Sequence, residues 1–481
     1  MLLYHILEYN ASYGRKQAFG MVGERTYMAD LQQFKGGVVH FIGIGGCSMS
    51  GLAVILKNLG YRPQGSDIRE SDFTRKLAEE NIPFAIGHRA ENLGNAQLVV
   101  YSAAIKPGNP EYDRAVELGL PMLTRADLLG QISRQFETVV GIAGCHGKTT
   151  ITSMTALVLR ECGVDLTVHV GGMVDFLGGG VAVGSYPAFL TEACEYVGSF
   201  LSLRPTFELV NNIDDDHLDY YKDIEEIYGT FLKFTQLMPE SGVLFYNVHD
   251  PLTVRLANEC GRRTVSYGFE NADYVAKNES YDANGCPEFD VESAKGSAHV
   301  KLSVVGRHNM SNALASITVA HEIFGVDMQC AANALAHYHL AGRRFELMGE
   351  KNGVKVIHDY AHHPAEISAC LAAAAKYPHK KLWVVFQCNS FTRAKTLKDK
   401  YALCFGDADM VLVPDIFPGR DIDRGEIHAR DLVAAIGEHG PCEYIPTFEE
   451  IKVYLEQHAS PGDVVITLGS GSVNVETAKL L

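Results

Sequence analysis

Short apolar runs that end in glycine or acidic residues recur along the chain and alternate with amphipathic stretches. The runs VVHFIGI (38–44), LVVYSA (98–103) and TVVGIAG (138–144) are typical of buried parallel strands. Pro110 begins a helical pattern that continues to about Gly119. This alternation predicts βαβ units and therefore an open α/β sheet.

Two more α/β units follow the first. The apolar run FELVNNI (207–213) and a helical stretch from Ile224 to Leu237 belong to the middle unit, and Asn284-Gly285 marks a hairpin turn in it. The last unit has strand patterns at 354–359, 381–387, 410–414 and 463–469. We predict a mixed polar leader and three domains, with the bounds 1–36, 37–137, 138–341 and 342–481.

The net charge of the 481-residue chain is −16. An acidic surface repels phosphate polymers, so nucleic-acid binding is not expected and an anionic ligand needs a local binding device. Eleven cysteines are scattered without a C-x-x-C pair, which favours reduced thiols in a cytoplasmic protein. The start of the chain does not resemble a signal peptide, and no apolar stretch is long enough to span a membrane.

The segment GCHGKTT (144–150) carries the sharpest chemical signal. It follows an apolar strand and precedes a helical pattern, which is the context that a phosphate-binding loop requires. In such a loop main-chain N–H groups face phosphate oxygens, Lys148 supplies positive charge to the β and γ phosphates, and Thr149 offers a hydroxyl to Mg²⁺. The loop is shorter than the usual Walker A sequence, and the alternative is a glycine-rich helix cap without a ligand.

A second glycine segment, GIGGCS (43–48), follows the first predicted strand, and Asp67 lies 24 residues beyond Gly43. The pattern is similar to a dinucleotide fingerprint, but Ser48 stands in place of the third glycine. Three interpretations remain open at this point: an NAD site, a site for another nucleotide diphosphate, and a turn without a ligand.

Acidic residues stand at the ends of two strand patterns in the middle unit. In NNIDDDHLDYY (211–221) the carboxylates and His217 suit a Mg²⁺–nucleotide site, and the alternative is a solvated helix cap. In TEACEYVGSF (191–200) Glu192 and Glu195 are candidates for a metal ligand or a base. Their alternative is an ordinary acidic helix start.

The segment HDYAHHP (358–364) also lies at a strand end, with Pro364 starting a helix. Zinc is not favoured for its histidines, because the segment has neither a cysteine nor a helical His-x₃-His spacing. Polar contacts with a nucleotide or an anionic substrate are favoured instead. The preceding segment GRRFE (342–346) has two arginines that can reach phosphate if they lie beside the loop.

Taken in order, these motifs resemble those of the Mur ligase family. The resemblance covers about residues 37 to 481 and includes VHFIGIGGCSMSGLA, GCHGKTT, TEACEY, NNIDDDHLD, GRHNMSNALAS, GRRFE, HDYAHHPAEI and DIFPGRDIDRGEIHA. It implies an α/β protein with a Rossmann-like UDP-binding domain, a P-loop ATPase central domain and a Rossmann-like C-terminal domain. The first glycine loop is then expected to hold a UDP-sugar rather than NAD.

The resemblance also implies a reaction. The family transfers the γ-phosphoryl group of ATP to a carboxylate, and the amino group of an amino acid then attacks the acyl phosphate to give an amide. ATP and Mg²⁺ are the implied cofactors, and UDP-N-acetylmuramate and a small amino acid, with L-alanine expected, are the implied substrates in peptidoglycan precursor synthesis. No nucleic-acid or membrane partner is expected, and the chain is expected to be a monomer or a homodimer.

Residue roles are implied by the same resemblance, motif by motif. The implied catalytic groups are Lys148, Glu192 and His217, and the implied metal ligands are Thr149, Glu192 and His217. The implied ATP contacts are Gly144, Cys145, His146, Gly147, Lys148, Thr149, Thr150, Asn309, Arg344 and Asp359. The implied substrate contacts are Gly45, Gly46, Asp67, Ser102, Tyr360, His362 and Arg393.

Two departures from the family pattern bear on the amino acid. Where the family ends Gly-Ala-Gly-Asp, this chain has GSGS (469–472). Where alanine-adding members read Gln-Pro-His-Arg-Tyr-Thr-Arg, this chain reads QCNSFTR (387–393), so Asn389 and Ser390 replace a histidine and an arginine while Arg393 is kept. A ligase for a different amino acid and a nucleotide-binding regulatory homologue are therefore the alternatives. An NAD-dependent oxidoreductase is a third, but it leaves the phosphate loop unexplained.

Overall fold

The computed structural model describes residues 29–481 apart from Asp219, Ala341, Arg420 and Ser472. Most of the predicted leader, residues 1–28, lies outside these described residues. Its last part is tied to the body of the protein, since Gln131 accepts from the main-chain N–H of Leu31 (2.6 Å) and donates to the carbonyl of Ala29 (2.8 Å).

The first domain is built on a five-stranded parallel sheet. Its strands are Val38–Ile42 (β1), Arg62–Asp67 (β2), Phe84–Ile86 (β3), Leu98–Tyr101 (β4) and Met122–Thr124 (β5). In the order β3-β2-β1-β4-β5, the chain adds strands on one side of β1 and then on the other, so the strand order reverses between β1 and β4. Ligands of open α/β sheets bind in the crevice at that point, beyond the carboxyl ends of the strands.

A buried carboxylate ties the first sheet to a neighbouring helix. Glu111, in the first turn of the helix Pro110–Glu117, receives hydrogen bonds from Ser66 on β2 (2.6 Å) and Asn92 (2.6 Å) and pairs with His40 on β1 (2.9 Å). Burial opposes its ionisation, but these contacts outweigh burial and lower the pKa of Glu111 to about 2. The helix is therefore held by ionised Glu111 as well as by apolar packing.

The middle domain contains a ten-stranded sheet in the order β15-β14-β13-β12-β11-β10-β6-β9-β7-β8. The strands are Thr138–Ala143 (β6), Leu166–Val174 (β7), Gly179–Ala182 (β8), Tyr186–Glu192 (β9), Phe207–Val210 (β10), Val243–Asn247 (β11), Arg263–Gly268 (β12), Tyr274–Tyr281 (β13), Pro287–Ser293 (β14) and Gly296–Lys301 (β15). The seven strands from β13 to β7 in this order are parallel, while β14 pairs antiparallel with both β13 and β15, and β8 pairs antiparallel with β7. The predicted Asn284-Gly285 turn joins β13 to β14.

The third domain has a six-stranded sheet in the order β16-β17-β21-β18-β19-β20, antiparallel only at β16. The strands are Glu346–Lys351 (β16), Val354–Asp359 (β17), Leu382–Phe386 (β18), Met410–Val413 (β19), Cys442–Tyr444 (β20) and Val464–Leu468 (β21). The α/β class and the three domains are confirmed, and the exact domain bounds stay a prediction.

Helices cover the faces of all three sheets. In the first domain they are Cys47–Asn58, Asp72–Glu79, Pro110–Glu117 and Arg125–Ser133. In the middle domain they are Lys148–Glu161, Ile224–Thr235, Pro251–Glu259, Arg307–Phe324 and Met328–Leu335. In the third domain they are Pro364–Ala374, Phe391–Thr396, Lys398–Leu403, Ala429–Gly437, Phe448–His458 and Val473–Thr477.

The first and middle domains share one hydrophobic core. A single cluster of buried side chains contains Val39 and Leu52 of the first domain together with Phe189 and Phe231 of the middle domain. The helix Cys47–Asn58 approaches β8 closely at Gly51, where a Cβ atom would lie 3.3 Å from the Cβ of Val181. Apolar burial of this kind is the main stabilising force in folding, so these two domains form one body.

One disulfide corrects the expectation that the cysteines are reduced. Cys162, at the end of the helix Lys148–Glu161, is bonded to Cys330 in the helix Met328–Leu335, with 6.1 Å between their Cα atoms. The two residues are 168 positions apart, so their spacing in the sequence gives no sign of the contact. The other nine cysteines are free.

None of the helices in the described part of the chain combines the length and the apolar character that crossing a lipid bilayer requires.

Candidate active site

The segment 144–150 forms a tight loop between β6 and the helix Lys148–Glu161. Gly147 has φ +85°, and a Cβ atom there would lie 2.9 Å from Nδ2 of Asn211 and 3.0 Å from Oδ1 of Asn312. Only glycine adopts this conformation readily and leaves room for both amides. Asn211 and Asn212 also donate to the main-chain carbonyl of His146 (3.1 and 3.0 Å). The loop is thus shaped by side chains from the end of β10.

Lys148 is the first residue of the helix and is largely buried. Its ammonium group lies 2.8 Å from Oε2 of Glu195, whose side chain is 2% exposed. Burial disfavours the charged lysine, but the Glu195 carboxylate outweighs this effect and raises the pKa of Lys148 above its ordinary value. The same pairing lowers the pKa of Glu195 against the opposing effect of burial. Both groups are therefore charged at neutral pH.

Glu192 is the last residue of β9. Its Oε1 accepts from the main-chain N–H of Gly171 (2.7 Å), and its carboxylate also receives a hydrogen bond from the hydroxyl of Thr149. Burial raises the pKa of Glu192, while Gly171, Lys148 and Thr149 partly oppose the rise. Two of the three predicted metal ligands, Thr149 and Glu192, are thus in contact.

The third predicted ligand, His217, lies beside the acidic residues Glu195 and Asp216. Its Nε2 lies 3.4 Å from Oε1 of Glu195 and 3.7 Å from Oδ2 of Asp216. His217 has φ +57°, which is uncommon for a residue other than glycine and is frequent at functional sites. One ligand atom from each of these three side chains lies within 4.8 Å of the others. The described contacts therefore join His217 to Glu195 rather than to Glu192.

The third domain reaches this cluster through Arg393. Its guanidinium donates to Oδ1 of Asp216 (3.0 Å) and to the carbonyl of Asn389 (2.8 Å). Although burial opposes its ionisation, His217 and Arg393 lower the pKa of Asp216. Arg393, a predicted substrate contact, is thus held beside the candidate metal cluster.

Predicted ATP and amino-acid contacts of the third domain lie at the end of β17. Asp359 accepts from the main-chain N–H groups of Phe345 and Ala361, both at 2.7 Å. Burial raises the pKa of Asp359, and the nearby guanidinium of Arg344 opposes the rise. Arg344 lies 5.2 Å from the centre of the Tyr360 ring.

His362 is positioned by its own segment. Its ring Nδ1 lies 3.0 Å from the carbonyl of Tyr360, and its main-chain N–H donates to Glu366 (3.1 Å). Burial lowers the pKa of His362.

Asn309 lies beneath the loop rather than open to it. It is 2% exposed, donates to the carbonyl of Val305 (2.8 Å) and accepts from Asn312 (3.1 Å). Because Asn312 in turn faces Gly147, Asn309 supports the phosphate loop in this structure through its neighbour. Its predicted direct contact with ATP stays a prediction.

Four predicted substrate contacts lie at the carboxyl ends of β1, β2 and β4, where the strand order of the first sheet reverses. The main-chain N–H of Gly45 donates to Oδ2 of Asp67 (2.8 Å), so the acid at the end of β2 shapes the glycine turn. Gly46 caps the helix Cys47–Asn58, and Ser102, which follows β4, faces Gly43. Their position at the strand ends is the one that nucleotide ligands use in this fold.

The residues that depart from the family pattern are engaged within the third domain. The hydroxyl of Ser390 donates to Asp421, which also accepts from the main-chain N–H of Thr392 (2.8 Å). Asn389 donates to the hydroxyl of Ser470 (3.1 Å).

Several residues at this junction were not singled out from the sequence. Glu366 accepts from the main chain as part of an ordinary helix cap, yet it also lies 3.2 Å from Nδ1 of His146 in the middle domain. Lys400 pairs with Asp215 across the same junction (2.8 Å). Glu366 lies in the family motif HDYAHHPAEI and Lys400 lies in none of the quoted motifs. Neither role was predicted, because only the packing of the domains brings these side chains to the junction.

The phosphate loop, the buried Lys148–Glu195 pair and the acidic cluster all lie at the carboxyl edge of the middle sheet, and the third domain closes over them. This arrangement defines a multidomain nucleotide-dependent enzyme. The chain belongs to the Mur ligase family: its catalytic domain matches residues 38–137, its middle domain residues 142–320 and its glutamate ligase domain residues 343–471. The predicted family is thereby confirmed.

Named relatives are similar over almost the whole chain. A UDP-N-acetylmuramate–L-alanine ligase of Acetivibrio thermocellus is 44% identical over 94% of this chain and 96% of its own length. The enzyme of the same name from Alkaliphilus metalliredigens is 43% identical over 92% of this chain and 96% of its own length.

Solved structures are also similar over most of this chain. A UDP-N-acetylmuramate–alanine ligase from Thermotoga maritima matches with a TM-score of 0.75 and 25% identity, covering 92% of this chain and 97% of the other. A murein peptide ligase from Psychrobacter arcticus matches with a TM-score of 0.70 and 25% identity, covering 92% and 98%. The predicted class of enzyme, an acid–amino-acid ligase, is confirmed, and an NAD-dependent oxidoreductase is not supported.

Proposed function

We propose that this chain joins UDP-N-acetylmuramate to L-alanine in an ATP-dependent reaction that passes through an acyl phosphate. The observation that carries the proposal is the closed junction at the phosphate loop. Lys148 of the middle domain pairs there with Glu195, Glu195 contacts His217, and the adjacent Asp216 pairs with Arg393 of the third domain. Full-length similarity to ligases with these substrates supports the choice of substrates.

The three domains then contribute different binding contacts, and ATP is held by residues of both the middle and the third domain. The turn at Gly45, Gly46, Asp67 and Ser102 holds the UDP-sugar. The loop 144–150 and residues Asn309, Arg344 and Asp359 hold ATP. Tyr360, His362 and Arg393 hold the amino acid beside the reacting carboxylate.

The donors around the loop fit a magnesium ion. Glu192 and Thr149 offer a carboxylate and a hydroxyl in contact with each other, and Glu195, Asp216 and His217 converge nearby. Oxygen-rich sets of this kind suit hard divalent cations. When bound, Mg²⁺ offsets the negative charge of the phosphates and the carboxylate. We propose Thr149, Glu192 and His217 as its ligands, with Glu195 as a further candidate that the geometry brings forward.

The chemistry needs positioning and charge rather than a protein nucleophile. A carboxylate oxygen of the sugar acid attacks the γ-phosphorus, and the bond to the β-phosphate oxygen breaks to release ADP. The amino nitrogen then attacks the acyl carbon, phosphate leaves and a proton is released. Lys148 stabilises the phosphate charge during the first step, and the closed junction keeps the reactants aligned.

A different amino acid is the second candidate, and the Ser390–Asp421 contact favours it. A serine that donates to an acid offers no positive charge to an amino-acid carboxylate. The experiment that tests both candidates is phosphate release from ATP with UDP-N-acetylmuramate and a panel of amino acids, with the product identified by mass spectrometry. Release that requires L-alanine supports the first candidate, release with another amino acid the second, and release with none contradicts both.

A further inference from the structure

A second group of potential metal ligands lies beside the candidate active site. It consists of His146 in the phosphate loop, Asp214 after β10 and His363 at the start of the helix Pro364–Ala374. The His146 Nε2 atom lies 3.1 Å from Oδ2 of Asp214, and the His363 Nδ1 atom lies 3.4 Å from the same oxygen. One ligand atom from each residue lies within 4.8 Å of the other two. The ligands come from two domains and three separate segments.

Hydrogen bonds on one side of each imidazole ring orient the other ring nitrogen, Nε2 of His146 and Nδ1 of His363, toward Asp214. The Nδ1 atom of His146 lies 3.2 Å from a carboxylate oxygen of Glu366, and the Nε2 atom of His363 lies 3.2 Å from the carbonyl of Asp215. Since both partners are acceptors, each ring places an N–H there. The Nδ1 atom of His363 carries no proton, because it accepts from the main-chain N–H of Ala365 (3.4 Å) as the cap of the helix, and a metal ion at Nδ1 displaces this long hydrogen bond. Metal-binding histidines are held in this way, with the outer N–H on a carboxylate or a carbonyl.

We propose that His146, Asp214 and His363 bind one borderline transition-metal ion of the Zn²⁺ class, at a site separate from the magnesium ligands. Two imidazole nitrogens and one carboxylate suit Zn²⁺, whereas Mg²⁺ prefers oxygen ligands throughout. Three protein ligands leave a fourth position for water. A cavity of about 290 Å³ lined by Asp214, His363, Ser368 and Lys400 adjoins the group and gives access to it.

Two charges compete with the ion. Without metal, His146 is held between Asp214 and Glu366, and these carboxylates outweigh burial and raise the pKa of His146 to about 10. Metal binding therefore displaces a proton. Lys400 lies 3.9 Å from Asp214 but 2.8 Å from Asp215, and its half-exposed side chain can remain with the second acid. Both effects weaken binding, and neither moves the three ligand atoms apart.

Zinc is not favoured from the sequence, because HDYAHHP has neither a cysteine nor a helical His-x₃-His spacing. Folding supplies the other ligands from the phosphate loop and from the acidic segment after β10. An ion bound there joins the phosphate loop directly to the third domain. It therefore holds the middle and third domains together, at the loop that also holds ATP in the reaction proposed above.

The test is equilibrium dialysis of the chelator-treated, full-length protein against Zn²⁺ in the presence of excess Mg²⁺, with metal content measured by mass spectrometry. We expect one zinc per chain. His363→Asn should weaken binding by roughly 10-fold or more, because it removes a ligand while asparagine still caps the helix. Glu366→Gln should weaken it less, and the control His379→Gln should leave it unchanged.

His217→Gln separates this site from the magnesium cluster. Zinc content that is lost in His217→Gln and kept in His363→Asn would overturn the proposal, and so would a wild-type protein that retains no zinc. A second measurement does not depend on a variant. Wild-type protein loaded with Co²⁺ should show two paramagnetically shifted imidazole N–H signals in its proton NMR spectrum, and the absence of both would contradict histidine ligation.

Discussion

At the scale of single residues, Lys148 serves both the fold and the site. It is the predicted phosphate ligand, and the structure adds that it neutralises Glu195, whose side chain is 2% exposed. Removing one partner of a buried ion pair leaves an uncompensated charge, which costs about 3–5 kcal/mol. Loss of activity in a lysine variant is therefore not by itself proof of a catalytic role.

A pair of variants separates the two roles. Lys148→Ala should lower phosphate release by roughly 10²–10³-fold, because the γ-phosphate loses its main charge partner, and it should also lower the free energy of unfolding. Lys148→Ala/Glu195→Gln should regain most of the stability without regaining turnover. Phosphate release and urea unfolding measure the two effects. Recovery of turnover in the double variant would show that Lys148 matters only as the partner of Glu195.

Ser390 is the second residue whose role a substitution can decide. Ser390→Arg should lower the KM for L-alanine by roughly 10-fold, since a charged hydrogen bond to a carboxylate contributes about 1.5–3 kcal/mol. Asp421 competes for the new guanidinium, so the gain should be larger with Asp421→Asn added. Ser390→Gln, which is long but neutral, is the control. An unchanged KM in all three variants would mean that this position does not contact the amino acid.

At the scale of elements, the sequence predicts strands and helices well where the apolar pattern is continuous. The predicted strands 38–44 and 138–144 correspond to β1 and β6, and the predicted helix at Ile224 begins at that residue. Local pattern suffices there, because parallel strands buried on both faces are apolar throughout. The phosphate loop is predicted for the same reason, since its glycines, lysine and flanks are adjacent in sequence.

Contacts between segments are what the sequence does not predict. The sequence does not distinguish the roles of Glu192 and Glu195. The fold places Glu195 against Lys148 and His217, whereas Glu192 contacts Thr149. The domain bounds and the individual site roles stay predictions, because they depend on bound ligands and on packing between domains.

Glu111 makes an element of the first domain sensitive to acid. Its pKa is lowered from 4.5 to about 2 in the folded protein. The stability that it contributes is therefore fully present above pH 4.5 and is lost as the pH falls toward 2. In acid unfolding followed by circular dichroism, Glu111→Gln should be less stable than wild type at neutral pH, and the difference should shrink below pH 4. A difference that is constant across this range would contradict an ionised Glu111.

The Cys162–Cys330 bond joins two helices of the middle domain. Cross-linking restricts the unfolded chain, so reduction should lower the free energy of unfolding by about 2–4 kcal/mol. Urea unfolding with and without reductant measures this, and a Cys162→Ser/Cys330→Ser variant should not respond to reductant. Thiol titration of the denatured, unreduced wild type should find nine of the eleven cysteines free, and eleven would show that the bond does not form.

At the scale of the whole molecule, the two domain junctions differ in character. The first and middle domains share apolar core. The middle and third domains meet through ionic contacts, which include Arg393–Asp216 and Lys400–Asp215, and through a small apolar cluster around Val305 and Ala373.

Salt should therefore loosen the junction between the middle and third domains and leave the junction between the first and middle domains unchanged. Raising the ionic strength to about 1 M shortens the screening length to about 3 Å, which weakens the partly exposed pairs. Hydrogen exchange should become faster in the segments 211–217 and 358–366, while β7, β8 and the helix Cys47–Asn58 stay protected. Equal acceleration at both junctions would contradict this division.

The shared core also limits how such a protein can be recombined. A chimaera that takes its first domain from a relative must bring a first helix whose side chains match β8, against which this helix packs at Gly51. Otherwise the graft leaves cavities and clashes in one continuous interior. The third domain faces a milder requirement, since a graft there has mainly to keep complementary charges. Exchange of substrate specificity by domain shuffling should therefore succeed more readily at the carboxyl end of the chain than at its start.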